Sequence, residues 1–201
     1  RLVETIVEKG ITNRAVIDAI GRIPRHLFME SGFIKFAYKD QAFPIGAGQT
    51  ISQPYTVAYQ SQLLNVNVND KILEVGTGSG YQAAVLIELG AQVFTIERQK
   101  ELYVKVQQLL PTIGYHPRFF YGDGYKGLPT YGPFDGIIVT AGAPYIPDDL
   151  KHQLKIGARL VIPVDNGASQ VMVVIERKGE NEFDEQHFGN FSFVPLLKGT
   201  E

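Results

Sequence analysis

The stretch Lys71-Ile72-Leu73-Glu74-Val75-Gly76-Thr77-Gly78-Ser79-Gly80-Tyr81-Gln82-Ala83-Ala84-Val85-Leu86-Ile87-Glu88-Leu89 decides the fold. Lys71–Val75 is a short apolar run of strand length. A glycine-rich turn, Gly76–Gly80, follows, and then a segment of helix-forming composition from Tyr81 to Leu89. A glycine-rich turn between a strand and a helix lets a ligand approach the backbone closely. It also aims the first amides of the helix at that ligand.

The same rhythm continues outward from this unit. Apolar runs recur at Gln92–Ile96, Arg118–Tyr121, Phe134–Val139, Arg159–Val164 and Gln170–Arg177, with helix-length segments at 81–89, 99–110 and 147–155. Strands alternating with helices predict an α/β, Rossmann-like fold with a mainly parallel sheet. The strands are nearly continuous in apolar character, as expected when helices cover both faces. After Arg159 the helices stop. Runs at 170–177 and about 186–194 flank Gly179-Glu180-Asn181-Glu182, which is turn chemistry, and predict a C-terminal antiparallel hairpin.

Upstream, the first thirty residues read as N-terminal helices. Leu2, Ile6 and Val7 share one face, then Ala15, Val16, Ala19 and Ile20 share another, with Thr12 or Asn13 as the cap and Pro24 as the end. Residues 37–54 have no clear period and hold two prolines and two glycines, which predicts an irregular loop. A loop of that length is more often functional than a plain connection. A helical pattern resumes over 55–65.

At 201 residues the chain fits one domain with a sizeable core, and 44% hydrophobic against 20% charged residues excludes a disordered composition. Nineteen basic against 21 acidic residues, a net charge of −2, provide no general field for a duplex nucleic acid. With no cysteine there is no disulfide framework, zinc–thiolate site, iron–sulfur cluster or cysteine nucleophile, and the composition suits a reducing cytoplasm. His26, His116, His152 and His187 are widely spaced and show no metal-ligand pattern, so no metal is expected. No apolar run approaches the ~20 residues of a membrane span. The chain opens Arg1-Leu2-Val3-Glu4, without an initiator Met, and nothing after it reads as a secretory segment.

The spacing of the turn discriminates between ligands. A dinucleotide fingerprint needs GxGxxG, but counting from Gly76 the third position is Tyr81. The pattern here is GxGxG preceded by the acid Glu74, which would repel a pyrophosphate and suits the ammonium of a methionine moiety, directly or through water. The second strand ends at Glu97, 17 residues past Gly80, near where an acid holds ribose hydroxyls. The third ends in Gly122-Asp123-Gly124, where an aspartate suits an adenine amino group. Taken singly, the turn is also a plain structural turn, Glu74 a helix cap and Glu97 a surface acid. Three acids at three successive strand ends describe an S-adenosyl-L-methionine pocket.

Two stretches then carry a resemblance. Pro44-Ile45-Gly46-Ala47-Gly48-Gln49-Thr50-Ile51-Ser52-Gln53-Pro54, with Leu73-Glu74-Val75-Gly76-Thr77-Gly78-Ser79-Gly80-Tyr81, resembles the protein-L-isoaspartate (D-aspartate) O-methyltransferase family. The similarity extends over roughly residues 22–197. It includes Ile23-Pro24-Arg25-His26-Leu27-Phe28, Ala37-Tyr38-Lys39-Asp40, Pro133–Thr140, Gln153-Leu154 to Pro163, and Phe193-Val194-Pro195-Leu196. One departure is Ser192, where bacterial members often carry Arg; backbone contacts from Phe193 and Val194 remain.

The resemblance implies methylation of the free α-carboxylate of L-isoaspartyl residues in damaged proteins and peptides, which starts repair through a succinimide. Composition and length add the expectations of a cytoplasmic, monomeric protein with no nucleic-acid or membrane partner, and the whole chain, 1–201, is expected to form one methyltransferase domain. Within it, 1–36 are N-terminal helices, 37–54 the substrate loop, 71–165 the cofactor-binding core and 166–201 the C-terminal strands. Carried over residue by residue, Ser52 is catalytic. Glu74, Gly76, Thr77, Gly78, Ser79, Gly80, Glu97, Arg98, Asp123, Gly124 and Thr140 hold the cofactor. Ile45, Gly46, Gln49, Thr50, Ile51, Ser52, Phe193 and Val194 face the substrate.

The chemistry agrees, because the acceptor is already a carboxylate and the donor already activated, so a neutral hydroxyl that orients the acceptor suffices. Ser52 has a competing reading as the N-cap of the helix beginning near Pro54, and Asp40 one as a residue that orders the loop through backbone amides. The alternatives are a methyltransferase for another carboxylate or small molecule, an interaction module without catalysis, and a nicotinamide-dependent oxidoreductase. The Thr140-Ala141-Gly142-Ala143-Pro144 run lacks the signature for adenine amino methylation, and cytosine C5 methylation needs a cysteine.

Overall fold

A computed structural model describes residues 1–201. In chain order the elements are α1 (Leu2–Glu8), α2 (Arg14–Arg22), β1 (Phe43–Gly46), β2 (Gln49–Ile51), α3 (Pro54–Leu64), β3 (Lys71–Val75), α4 (Tyr81–Glu88), β4 (Gln92–Glu97), α5 (Lys100–Thr112), β5 (Arg118–Tyr121), β6 (Phe134–Val139), α6 (Asp148–His152), β7 (Leu154–Asp165), β8 (Gln170–Arg177) and β9 (Phe183–Phe191). Short 3₁₀ turns cover Arg25–Phe28, Ser31–Phe36 and Pro129–Tyr131.

Seven strands form one sheet in the order β5-β4-β3-β6-β7-β8-β9. The first five run parallel, and β8 and β9 add an antiparallel hairpin at one edge. This is the α/β architecture that the strand–helix rhythm predicts. The strand order turns at β3, whose neighbours are β4 on one side and β6 on the other. A crevice therefore opens beyond their carboxyl ends. Apolar side chains fill both faces of the sheet: Ile72, Ile138 and Val161 pack under the helices of one face, and Leu73, Ile137 and Leu160 under the other.

Local chemistry explains most boundaries. Asn13 caps α2, its side-chain oxygen accepting from Val16 N–H at 3.2 Å. Pro54 opens α3 at a position that needs no donor, and Asn65 in the left-handed region (φ 56°) closes it.

Four expectations are corrected. Residues 43–51 are not irregular: β1 and β2 pair antiparallel around a turn in which Gly46, Ala47 and Gly48 all have positive φ. The strands are too short, and Pro44 too disruptive, to leave a period-two signal. Val7 is exposed and Ala15 lies outside the core, while Ile17 is buried instead. The helix expected over 147–155 stops at His152 because β7 starts at Leu154 and bulges through Gly157 (φ 85°) before rejoining β6 at Arg159. The last strand lies at 183–191 rather than 186–194.

Candidate active site

The crevice beyond β3, β4 and β6 holds a cavity. Its walls include Val75 to Ser79 from the glycine-rich turn, Tyr81 and Gln82 from the start of α4, and Ile96 to Gln99 from the end of β4. Gly124, Thr140, Ala141 and Val194 to Leu197 complete it, with Gln49, Thr50, Ser52 and Val57 from the hairpin side. Gly76 is required here by both conformation and space. Its φ is 95°, and a Cβ would meet Thr140 Oγ1 at 2.5 Å. That hydroxyl donates to the Gly76 carbonyl at 2.6 Å, which ties the turn to the end of β6.

Glu97 is 5% exposed, and its carboxylate accepts the Gly78 N–H and the Gln99 N–H, both at 2.9 Å. It shapes the turn and still presents a negative group to the cavity. Arg98 lines the cavity too, but its guanidinium is turned to the C-terminal segment, donating to Gly199 O and pairing with Glu201 at 3.0 Å. That segment is bonded to Gly142 at one end and to the backbone of Arg98 and Lys100 at the other. It thus crosses the mouth of the crevice from β6 to β4.

Glu74 does not reach the cavity wall. Its side chain is fully buried beside Thr95, its neighbour in register on β4, whose hydroxyl donates to it at 2.6 Å. Thr95 in turn shares a 2.6 Å hydrogen bond with Thr77, and Thr77 does line the cavity. A direct contact from Glu74 to an ammonium is therefore corrected to a connection through two hydroxyls.

Burial raises the Glu74 carboxyl to about 8. The Thr95 hydroxyl opposes the shift and the nearby Glu97 charge adds to it. Folding thus takes up a proton at this site. The associated stability is intact below the unfolded value near 4.5 and is lost as pH rises through 8. Glu74→Gln copies the protonated side chain. In ligand-free protein it is expected to match the wild type at about pH 4 and to exceed it above pH 8 by as much as roughly 4 kcal/mol in urea denaturation. Equal stabilities at both pH values would show that Glu74 ionises freely where it sits.

Other expected positions also lie off the wall. The Asp123 carboxylate turns back to accept Tyr125 N–H at 2.9 Å, and only Gly124 faces the cavity. Gly80 ends the turn in the left-handed region, packed against Val106 and Leu110. Ile51 is in the core, and Ile45 lines a separate small apolar pocket with Gly78 and Ser79. Gly46 sits at the hairpin turn.

A second, wider cleft opens beside the first. Lys9, Ala42, Gln53, Tyr55, Thr56, Ser169 and Asn190–Val194 line it, so Phe193 and Val194 both lie on its wall. Thr50, Ser52, Thr140 and Val194 belong to both spaces, so the two cavities meet at these residues. Ser52 is not a helix cap. The residue at the cap of α3 is Gln53, which makes no capping bond, and Tyr55 N–H is taken at 2.8 Å by Asp40 from another segment. The Ser52 hydroxyl is thereby left for whatever occupies the junction.

Tyr81, Gln82, Gln99 and Pro195–Leu197 line the first cavity without having been expected there, as do Lys9 and Asn190 in the second. Tyr81 and Gln82 carried a usable signal, their place directly after the glycine-rich turn, as did Gln99 beside Glu97 and Arg98 and Pro195–Leu197 beside Phe193 and Val194. Lys9 and Asn190 are brought in by contacts distant in sequence.

The first cavity suits a ligand rich in donors. It presents Glu97 and the buried Gln82 Oε1, which has no partner inside the protein, and its one cation is committed to Glu201. That set favours an ammonium and ribose hydroxyls over a pyrophosphate. There is no cluster of His, Asp and Glu able to hold a metal, and no helix is long and apolar enough to cross a membrane.

The comparisons with known proteins agree with this chemistry. Residues 1–201 match the family described as protein-L-isoaspartate(D-aspartate) O-methyltransferase (PCMT). A protein-L-isoaspartate O-methyltransferase from Flavobacterium johnsoniae is 61% identical over 199 residues, covering 98% of this chain and 93% of the relative. One from Christiangramia forsetii is 59% identical with the same coverage. A Plasmodium falciparum protein described as a PCMT, solved in complex with S-adenosyl-L-homocysteine, superposes with a TM-score of 0.85 at 25% identity, over 98% of this chain and 97% of the other. This chain belongs to the protein-L-isoaspartate O-methyltransferase family.

Proposed function

We propose that the junction at Ser52 is where this enzyme performs its reaction, the S-adenosylmethionine-dependent methylation of isoaspartyl residues in protein repair. The observation that carries this reading is the meeting of two cavities at Thr50, Ser52, Thr140 and Val194. One space is deep and walled by the glycine-rich turn and Glu97. The other is wide and open to a peptide. A group transferred between them must pass this shared wall.

Bound S-adenosylmethionine supplies a methyl group already activated by its positive sulfur. Glu97, Gln82 and the backbone of Gly76–Ser79 hold the cofactor, and Thr77 joins its pocket to the buried Glu74. On the other side Ser52 donates to the α-carboxylate of the isoaspartyl residue and sets its direction of approach. Thr50 and the backbone of Phe193 and Val194 bracket the peptide. The acceptor is ionised at neutral pH, so no residue need remove a proton. Holding donor and acceptor in line near contact is worth about 7–11 kcal/mol of barrier. An arginine clamp would stabilise the carboxylate before attack, and a neutral hydroxyl avoids that. The following backbone amide nitrogen then attacks the methyl ester and expels methanol, giving a succinimide that water reopens in part as normal aspartate.

The reading also places the enzyme in the cytoplasm as a monomer acting on protein rather than nucleic acid. Its support is the cysteine-free composition and the net charge of −2.

The test uses labelled S-adenosylmethionine and two peptides identical except for isoaspartate or aspartate at one position. Base-labile label is expected on the isoaspartyl peptide alone. Label on neither, with cofactor still bound, would move the acceptor to other free carboxylates.

A further inference from the structure

Arg25 is the largest fully buried side chain of the protein; it forms no salt bridge, and the carboxylate whose charge acts on it is Asp40. Its Nε donates to the Ala37 carbonyl and its Nη2 to the Gln41 carbonyl, both at 3.0 Å. Its guanidinium lies 4.7 Å from the centre of the Tyr81 ring, and its Nη1 has no hydrogen-bond partner. Tyr81 is the first residue of α4 and part of the cofactor cavity. Ala37 and Gln41 bracket Asp40, whose carboxylate takes Tyr55 N–H at 2.8 Å, the Gln53 side chain at 2.9 Å and Lys9 at 2.6 Å. Gln53 and Tyr55 lie one and three residues past Ser52.

A continuous set of contacts thus runs from the cofactor wall to the acceptor hydroxyl: Tyr81, Arg25, the 37–41 turn, Asp40, then Gln53 and Tyr55. An apolar side chain of similar volume would avoid desolvating a charge but would leave the Ala37 and Gln41 carbonyls without their donors. What the guanidinium alone provides is a rigid planar fork that donates to two carbonyls at once while its charge sits over the Tyr81 ring. An ammonium has three donors but no fixed fork, and it stacks less well.

We propose that Arg25 is a positioning residue for methyl transfer, setting the spacing between the cofactor cavity and Ser52 by joining Tyr81 to the segment that Asp40 fastens to α3. It acts through Asp40 and touches no reacting atom. The inference rests on the reading of Ser52 as the acceptor-side residue. Transfer depends on near contact, and a displacement of about 1 Å can cost on the order of 100-fold in rate.

The experiment compares wild type, Arg25→Met, Arg25→Lys, Asp40→Asn and Ser52→Ala by urea denaturation, S-adenosylhomocysteine affinity and steady-state kinetics on an isoaspartyl peptide. Arg25→Met is expected to fold with some loss of stability, because two carbonyls lose their donors, to bind S-adenosylhomocysteine within about threefold, and to lose at least about tenfold in kcat. Arg25→Lys, which keeps the charge without the fork, is expected to be as slow. Combining Arg25→Met with Asp40→Asn should cost less than the product of the single losses, because both loosen the same connection.

A full kcat in Arg25→Met overturns the proposal. So does a loss of cofactor affinity equal to the loss of kcat, or a failure of Arg25→Met to fold, since either assigns Arg25 to the fold or to the pocket itself. A Ser52→Ala enzyme with normal turnover sinks the underlying reading instead, whatever Arg25 does.

Discussion

Ser52→Ala is expected to lower kcat on an isoaspartyl peptide by about 100-fold while S-adenosylhomocysteine binds within about threefold of wild type. The reason is position. Ser52 stands on the wall shared by both cavities, and its hydroxyl is not consumed in capping α3, because Asp40 holds the Tyr55 amide. Removing it takes away an orienting contact to the acceptor and leaves the glycine-rich turn, Glu97 and Gln82 untouched. Ser52→Thr keeps a hydroxyl but adds a methyl group in the crowded junction, and should fall between the two. Calorimetric titration alongside initial rates separates the possibilities. If affinity for S-adenosylhomocysteine falls as far as kcat does, Ser52 belongs to the cofactor side or to the structure of the hairpin.

The second large effect is expected at Glu97. Its carboxylate accepts two backbone amides and fronts the cavity, so Glu97→Ala removes a contact to the cofactor and frees Gly78 N–H and Gln99 N–H at once. Hydrogen bonds to a charged group are worth roughly 1.5–3 kcal/mol each. Cofactor affinity should therefore fall by about 10- to 100-fold in titration calorimetry. Glu97→Gln keeps one acceptor oxygen and should lose less. If Glu97→Ala binds S-adenosylhomocysteine as tightly as wild type, Glu97 serves only to hold the turn, and the ribose contact lies elsewhere.

Glu74 and Glu97 show why the two acids differ in legibility. Both stand at or near the end of a strand, and both read as pocket acids from spacing. Strand alternation sends Glu74 to the sheet face shared with Thr95, whereas Glu97 is the last residue of β4 and folds back under Gly78. A one-residue difference in where a strand ends decides whether a carboxylate lines the cavity or meets a buried hydroxyl. No propensity scale records that difference. Arg98 is similar. It follows Glu97 and lines the cavity, yet its charge is spent on Glu201, more than a hundred positions away.

By itself, the sequence determined the architecture and the centre of the site. The reason is that both are written in short-range terms. Continuous apolar strands alternating with helices permit little but a covered parallel sheet, and the Gly76–Gly80 turn places its ligand at the start of α4. Tertiary structure alone decided what lies across from that centre. The hairpin at 43–51 forms because Ile45 and Ile51 are buried beneath it, not because its residues prefer strands. Arg25 and Asp40 become the link between two cavities only when residues 25, 37–41, 53–55 and 81 are packed together. The C-terminal segment closes over the crevice through bonds to Gly142, Arg98 and Lys100. Each of these contacts is formed by groups far apart in the chain. Their energy depends on distance in space and on exclusion of water, neither of which is a property of any local run of residues.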